Sequence, residues 1–151
     1  MARIVIDTNV VVSAILSPDG AAREVLRRCL TGKTQPLISN ALFLEYEDVL
    51  AREELFATAP IEPEERAVLL DALLGSCQWI NITFLWRPNL PDESDNHLIE
   101  LAVAGNAERI VTGNVRDLAT GELLFEGFRV VTPGQWLREE DRHGDTDDQD
   151  S

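Results

Sequence analysis

A chain of 151 residues with 44% apolar residues, 6% aromatics and a formal net charge of −14 is long enough for one globular domain with a real core. No apolar run approaches the roughly 20 residues needed to span a bilayer, and the first residues read as a strand rather than a leader, so a cytoplasmic protein without membrane contact is expected. Residues 140–151 contribute −5 of the charge and the remaining 139 carry −9, a surface that repels phosphate at long range. Any nucleic-acid role must therefore come from local arginines and metal ions.

In chain order, Arg3–Ile6 is a β-branched run and reads as a buried parallel strand. It ends abruptly at Asp7, and a carboxylate at the C-terminal end of such a strand sits where α/β folds place their ligands. Val10–Leu16 is a short helix stopped by the turn cluster Ser17-Pro18-Asp19-Gly20. Ala21–Leu30 is a helix with Gly32 in the C-cap region, and Pro36–Ile38 is a short strand. Ser39 or Asn40 N-caps a helix running to about Ala51, and Pro63 opens the helix Glu64–Cys77. Trp79–Ile82 is a third strand. After the turn-rich Pro88–Glu93 comes the helix Asp95–Ala104, closed by Gly105. Arg109–Thr112 and Arg129–Val131 are further strands, and Pro133–Arg138 is a last short helix. Strands separated by helices imply parallel crossovers, hence a three-layer α/β/α sandwich with a central, mainly parallel sheet. This domain covers 1–139, and the acidic residues 140–151 read as a disordered tail. Cys29 and Cys77 lack metal-type spacing and read as reduced, packed thiols.

Helical phase sorts some of the acids. Along Asp95–Ala104, Leu98, Ile99, Leu101, Ala102 and Val103 spread over one broad face, with Asp95 near its middle and Glu100 well off it, on the surface. Asp92 and Glu93 lie in the preceding loop, where phase is silent. Between Asn40 and Ala51 the apolar arc is Leu42, Phe43, Tyr46, Val49 and Leu50; Glu45 and Glu47 border it on opposite sides, and Asp48 lies farther out. Periodicity leaves Glu45 and Glu47 equivalent. The segment Ile110-Val111-Thr112-Gly113-Asn114-Val115-Arg116-Asp117-Leu118 repeats the grammar of a strand ending in polar residues, which puts Asn114 and Asp117 on the same sheet edge as Asp7.

If Asp7, Glu45, Asp95 and Asp117 converge, each carboxylate pair at 4 Å costs about 4 kcal/mol at an effective dielectric near 20. Protons or cations must offset that. Oxygen-only ligation favours Mg²⁺ or Mn²⁺ over zinc, and such an ion suits phosphoryl chemistry. No Gly-rich phosphate loop is present, and His97 and His143, the two histidines, form no Ser-His-Asp set; His97 reads as a plain helix-face residue.

These residues resemble the PIN-domain ribonucleases. The likeness is carried by Ile4-Val5-Ile6-Asp7-Thr8-Asn9 followed by Val12-Ser13-Ala14-Ile15-Leu16, by Ser39 and Glu45 on one helix, by Asp92 and Asp95-Asn96 opening another, by Val111–Leu118, and by Val131-Thr132-Pro133. It spans essentially residues 2–138, and the branch it resembles is the toxin components of bacterial and archaeal toxin–antitoxin modules. The resemblance implies that Asp7, Glu45, Asp95 and Asp117 hold Mg²⁺ or Mn²⁺ for cleavage of single-stranded RNA, and it selects Glu45 over Glu47. Asp7, Asp95 and Asp117 would bind the ion and Glu45 would orient or deprotonate the attacking water. Asn9 and Thr112 would support the site, with Asp92 assisting. Many members carry an acid at the position of Asn114 and a second acid two residues on; here Asn114 is neutral and Asp117 follows three residues later. Asn114 would position a water, the metal or the substrate, and Arg116 could touch a phosphate. Arg23, Arg27 and Arg28 cluster on one side of their helix, as a solvated or antitoxin-contacting face. An antitoxin in an apolar groove near the first helices and a homodimer are further implications.

Two other readings exist. A domain of this fold with a degraded site could act as a protein-interaction module. An α/β phosphatase with an aspartyl nucleophile would want an acid two residues after Asp7, where the chain has Asn9.

Overall fold

The structure is a computed structural model describing residues 1–59, 61–82, 96–114 and 128–150. Its strands are β1 (Ala2–Ile6), β2 (Thr34–Ile38), β3 (Gln78–Trp79), β4 (Arg109–Val111) and β5 (Arg129–Val131). The helices are α1 (Thr8–Leu16), α2 (Ala21–Leu30), α3 (Asn40–Leu50), α4 (Pro63–Ser76), α5 (Asn96–Gly105) and α6 (Pro133–Asp150), with a short 3-10 turn at Glu53–Phe56. All five strands are parallel, in the order β3-β2-β1-β4-β5. The expected α/β sandwich is therefore what the chain adopts.

The central strand explains itself. Ile4, Val5 and Ile6 are at most 1% exposed, so both faces of β1 are covered and no polar alternation is needed. Each such side chain contributes roughly 1.5–3 kcal/mol of transfer free energy. On one side α5 packs across β1, β2 and β4 and meets α3; α2 lies against β2 and gathers α1, α4 and α6 around it. Because α5 touches three strands and a helix, it has little solvent face. Glu100, expected on the surface, is 6% exposed.

Local signals set most boundaries. Ser39, rather than Asn40, caps α3, its hydroxyl accepting from the Leu42 N–H at 3.2 Å. Pro63 opens α4, and Gly32 follows α2 at φ +82°, the left-handed conformation that the end of that helix requires. At the end of α5 the left-handed residue is Asn106 (φ 55°). Gly105 answers a different need: a Cβ there would meet Leu37 Cδ1 at 2.6 Å, so a side chain at this helix end would force Leu37 to shift. β2 begins earlier than expected, at Thr34, because Pro36 is held within its pairing to β1, and β3 is confined to Gln78–Trp79. The last helix runs past Arg138 to Asp150, through the stretch that composition reads as disordered. Buried Trp136, the Glu139 contacts to Arg109 and Arg129, and the Arg28–Asp141 pair at 3.1 Å hold its inner turns.

Cys29 is buried in α2 and Cys77 is half-buried after α4; both are free, and burial pushes both thiols up to about 12. Among the described residues no helix is long and apolar enough to cross a membrane.

Candidate active site

From β1 the chain moves outward through β2 to β3, then returns to β4 on the other side of β1. The reversal leaves a crevice beyond the carboxyl ends of β1 and β4, the place where open parallel sheets bind ligands. Asp7 follows the last residue of β1 there, its N–H donating to Val111 O at 2.9 Å, and Thr112 follows the last residue of β4.

Asp7 is 9% exposed and is the N-cap residue of α1, yet its carboxylate does not cap the helix. Instead it turns to the neighbouring strand. The hydroxyl of Thr112, 0% exposed, donates to Asp7 Oδ2 at 2.8 Å, and Asn9 Nδ2 donates to the same oxygen at 3.3 Å. Asn9 Oδ1 in turn accepts the Gly113 N–H at 3.0 Å, and Thr112 Oγ1 accepts the Asn114 N–H at 3.0 Å. Asn9 and Thr112 thus meet at the first acid, and the backbone N–H of Asn114, an exposed residue, bonds to Thr112.

Glu45 comes from α3. Its neighbour Tyr46 is 1% exposed and donates its phenolic O–H to Ile6 O, tying α3 to the last residue of β1. This anchor turns Glu45 toward the crevice: Thr8 Oγ1 donates to Glu45 Oε1 at 2.5 Å, and His97 Nε2 lies 2.6 Å from Glu45 Oε2. Glu47 instead lines a groove between α3 and α4 with Arg66 and Leu70, and Asp48 pairs with Arg52. Geometry thus separates Glu45 from Glu47, which periodicity could not do.

His97 corrects its assignment as a plain helix-face residue. It and Thr8 are the participants that sequence reasoning missed. Their signal was faint: a histidine on an otherwise apolar helix, and a threonine beside the first acid. Pairing them with Glu45 needs α3 packed on both α1 and α5, which no local pattern encodes.

The electrostatics of the crevice are those of crowded negative charge. Burial raises the Asp7 pKa above its ordinary value; the Thr112 hydrogen bond opposes the rise, the Glu45 charge adds to it, and the Thr8 backbone N–H and His97 oppose it. Two acids of the expected four, Asp7 and Glu45, are therefore close enough to feel each other. Asp95, Asp117, Asp92, Glu93 and Arg116 lie outside the described residues. Among the described residues no three His, Cys, Asp or Glu side chains gather as a metal cluster. The groups that do meet are the oxygens of two carboxylates, of the Thr8 and Thr112 hydroxyls and of the Asn9 amide, with the His97 imidazole against Glu45, a mainly hard set at a carboxylate already burdened by burial. That chemistry fits Mg²⁺ or Mn²⁺.

The α2 arginines are engaged close to home. Arg23 Nε donates to Ala14 O at 2.7 Å, Arg27 pairs with Glu24, and Arg28 with Glu24 and Asp141.

A parallel five-stranded sheet with a buried, hydroxyl-held carboxylate at its switch point defines an α/β protein with a candidate site on the carboxyl edge. The family model described as PIN domain matches residues 3–116, and the chain belongs to that family. Solved structures that share the fold include two toxin–antitoxin complexes by their descriptions. VapBC2 from Rickettsia felis, bound to a DNA fragment from their promoter, is 17% identical with a TM-score of 0.57, covering 85% of this chain and 96% of that one. DNA-bound VapBC from Salmonella typhimurium is 15% identical with a TM-score of 0.55, covering 88% of this chain and 99% of that one. No curated protein matches the sequence.

Proposed function

We propose that this PIN-domain protein is a divalent-metal-dependent endoribonuclease cleaving single-stranded RNA, and the toxin of a toxin–antitoxin pair. The observation that carries the reading is Asp7, buried at the β1/β4 switch point, fixed by Thr112 and Asn9 and within electrostatic reach of Glu45. Asp7, Asp95 and Asp117 would hold Mg²⁺ or Mn²⁺. When bound, that ion supplies positive charge for the attacked phosphate and leaving oxygen and acidifies water.

The protein's own residues do the rest. Glu45, with one oxygen on Thr8 and the other facing His97, is positioned to orient the attacking water and take its proton. Thr112 and Asn9 keep Asp7 aimed into the crevice. Asn114 positions water, metal or substrate, Asp92 assists, and Arg116 meets a substrate phosphate.

The toxin role is supported by the likeness to VapBC structures, each solved on DNA. An antitoxin protein, a homodimer and a cytoplasmic location complete the proposal. Cleavage of single-stranded RNA is measured with Mg²⁺ or Mn²⁺, with EDTA, and for Asp7→Asn. Activity that needs the ion and is lost in the variant is expected; metal-independent cutting, or full activity of Asp7→Asn, rejects the reading.

A further inference from the structure

Trp79 is a large apolar side chain left half in water at an edge of the sheet, 52% exposed. It ends β3, paired with Ile38, the last residue of β2, and the following N–H, of Ile80, donates to Ile38 O at 2.9 Å. The strands are parallel, so Trp79 stands on the same carboxyl edge as Asp7, two strands away from β1. Two strand spacings amount to about 10 Å. The indole meets the half-buried Phe43 of α3 at 5.5 Å between ring centroids, tilted by 56°. An aromatic ring therefore backs the indole, while half of the residue stays open to solvent.

One helix carries both this pair and the candidate site. Phe43 and Glu45 are two residues apart on α3, about 200° around it, so they lie on opposite flanks of a helix about 10–12 Å across with its side chains. Leu44, 54% exposed, occupies the outer surface between them. A strand of RNA cut at Asp7 and Glu45 that crosses this surface reaches the indole after about three nucleotides, at the about 3.4 Å rise of a stacked strand. Charge favours a contact of this kind. At −14 the protein offers phosphates little, whereas a base face adds affinity without needing a cation. Size excludes a protein partner: the exposed parts of Trp79 and Leu44 offer on the order of 200 Å², against about 800 Å² per partner in a stable interface. A single flat base fits.

We propose that Trp79, backed by Phe43, is a stacking platform for one unpaired base of the single-stranded RNA substrate, within about three nucleotides of the cut. The proposal rests on the ribonuclease reading of the site. Every base has a π-face, so the platform anchors the strand without reading its sequence. A base inside a duplex has both faces covered by its neighbours, so the same contact selects single strands.

The test uses the full chain carrying Glu45→Gln, which is expected to cut slowly and keeps the acids proposed to hold the ion, in Mg²⁺. A labelled single-stranded RNA oligonucleotide is read by anisotropy over a range of salt. Adding Trp79→Ala should weaken binding about tenfold and leave the slope of log K against log salt unchanged, because no phosphate contact is lost. Trp79→Phe should keep most of the affinity; Trp79→Leu, apolar but without a ring, should lose as much as the Ala variant. RNA should quench tryptophan emission, and Trp79→Phe should remove most of that quench. Among oligonucleotides lacking one base at successive positions, one position near the cut should make Trp79 and Trp79→Ala chains bind alike. Thermal melting confirms that the variants fold. Unchanged affinity in Trp79→Ala, full affinity in Trp79→Leu, or the same loss at every missing base overturns the platform while leaving the nuclease intact. A parent dimer that Trp79→Ala dissociates assigns the surface to a second copy and overturns it as well. If RNA is neither cut by the parent chain nor bound by Glu45→Gln, the ribonuclease reading itself fails.

Discussion

His97 on α5 and Glu45 on α3 meet at 2.6 Å, while Thr8 on α1 takes the other carboxylate oxygen at 2.5 Å. Both oxygens of the acid are engaged from different helices, so its plane and reach are set by the packing of three elements. Loss of the acid itself, in Glu45→Gln, should lower single-turnover RNA cleavage by about 10²–10⁴-fold, the range of general acid–base catalysis. His97→Ala and Thr8→Val, which loosen the acid without removing it, should each cost less, on the order of tenfold. His97→Gln, which keeps an N–H donor, should recover part of the rate; equal rates for Ala and Gln would show that His97 only fills space.

Asp7 gives a prediction about stability with an unusual sign. Burial first, and Glu45 second among the causes that raise it, lift its folded-state pKa above the ordinary 3.8. The folded chain therefore holds this proton more tightly than the unfolded chain. The stabilisation is complete below pH 3.8 and is lost as pH rises through the lifted value, so at pH 7 the metal-free protein carries an unfavourable charge. Asp7→Asn should then melt higher than the parent at neutral pH in EDTA, by about 2–4 °C for each kcal/mol relieved, and the difference should vanish toward acid. A variant that melts lower at pH 7 contradicts this account of the crevice.

Metal reverses the order. Calorimetric titration with Mn²⁺ should show site-specific binding to the parent and none to Asp7→Asn, and saturating Mn²⁺ should raise the parent melting temperature through mass action. EDTA should remove both effects. A parent without site-specific Mn²⁺ binding would match the rival reading of an interaction module with a degraded site.

Tyr46 provides a separate check on how the two acids are held in register. Its buried hydroxyl donates to Ile6 O, one residue before Asp7, while the residue beside it is Glu45. Tyr46→Phe leaves a buried carbonyl without that donor, at a cost of about 1–3 kcal/mol measurable by urea unfolding. Cleavage should fall as well, because α3 loses its tie to β1. Stability equal to the parent would remove the hydrogen bond from the account of the site.

The layered fold was legible because β1 and β4 are short runs of β-branched residues ending in polar ones, and because Pro63, Ser39 and Gly32 mark helix ends by local stereochemistry. The edge of the sheet carrying Asp7, Asn9, Thr112 and Asn114 was legible for the same reason. Other features depend on what an element packs against. Glu100 looked solvated because helical phase counts apolar neighbours along one helix, whereas α5 is enclosed by three strands and α3. The recruitment of His97 likewise arises only when α3 and α5 touch, and helical phase by itself leaves Glu45 and Glu47 equivalent. By position Gly105 reads as a cap, yet its smallness serves the approach to Leu37 and the left-handed residue is Asn106. Spacing finds faces; it does not find partners.

The Thr112 hydroxyl that fixes Asp7 lies 105 residues farther along the chain. During synthesis on the ribosome the aspartate emerges 105 residues ahead of the hydroxyl that fixes it. A nascent chain therefore carries the acid long before it carries the strand that shapes its surroundings, and the hydroxyl-held carboxylate can form only once β4 has followed.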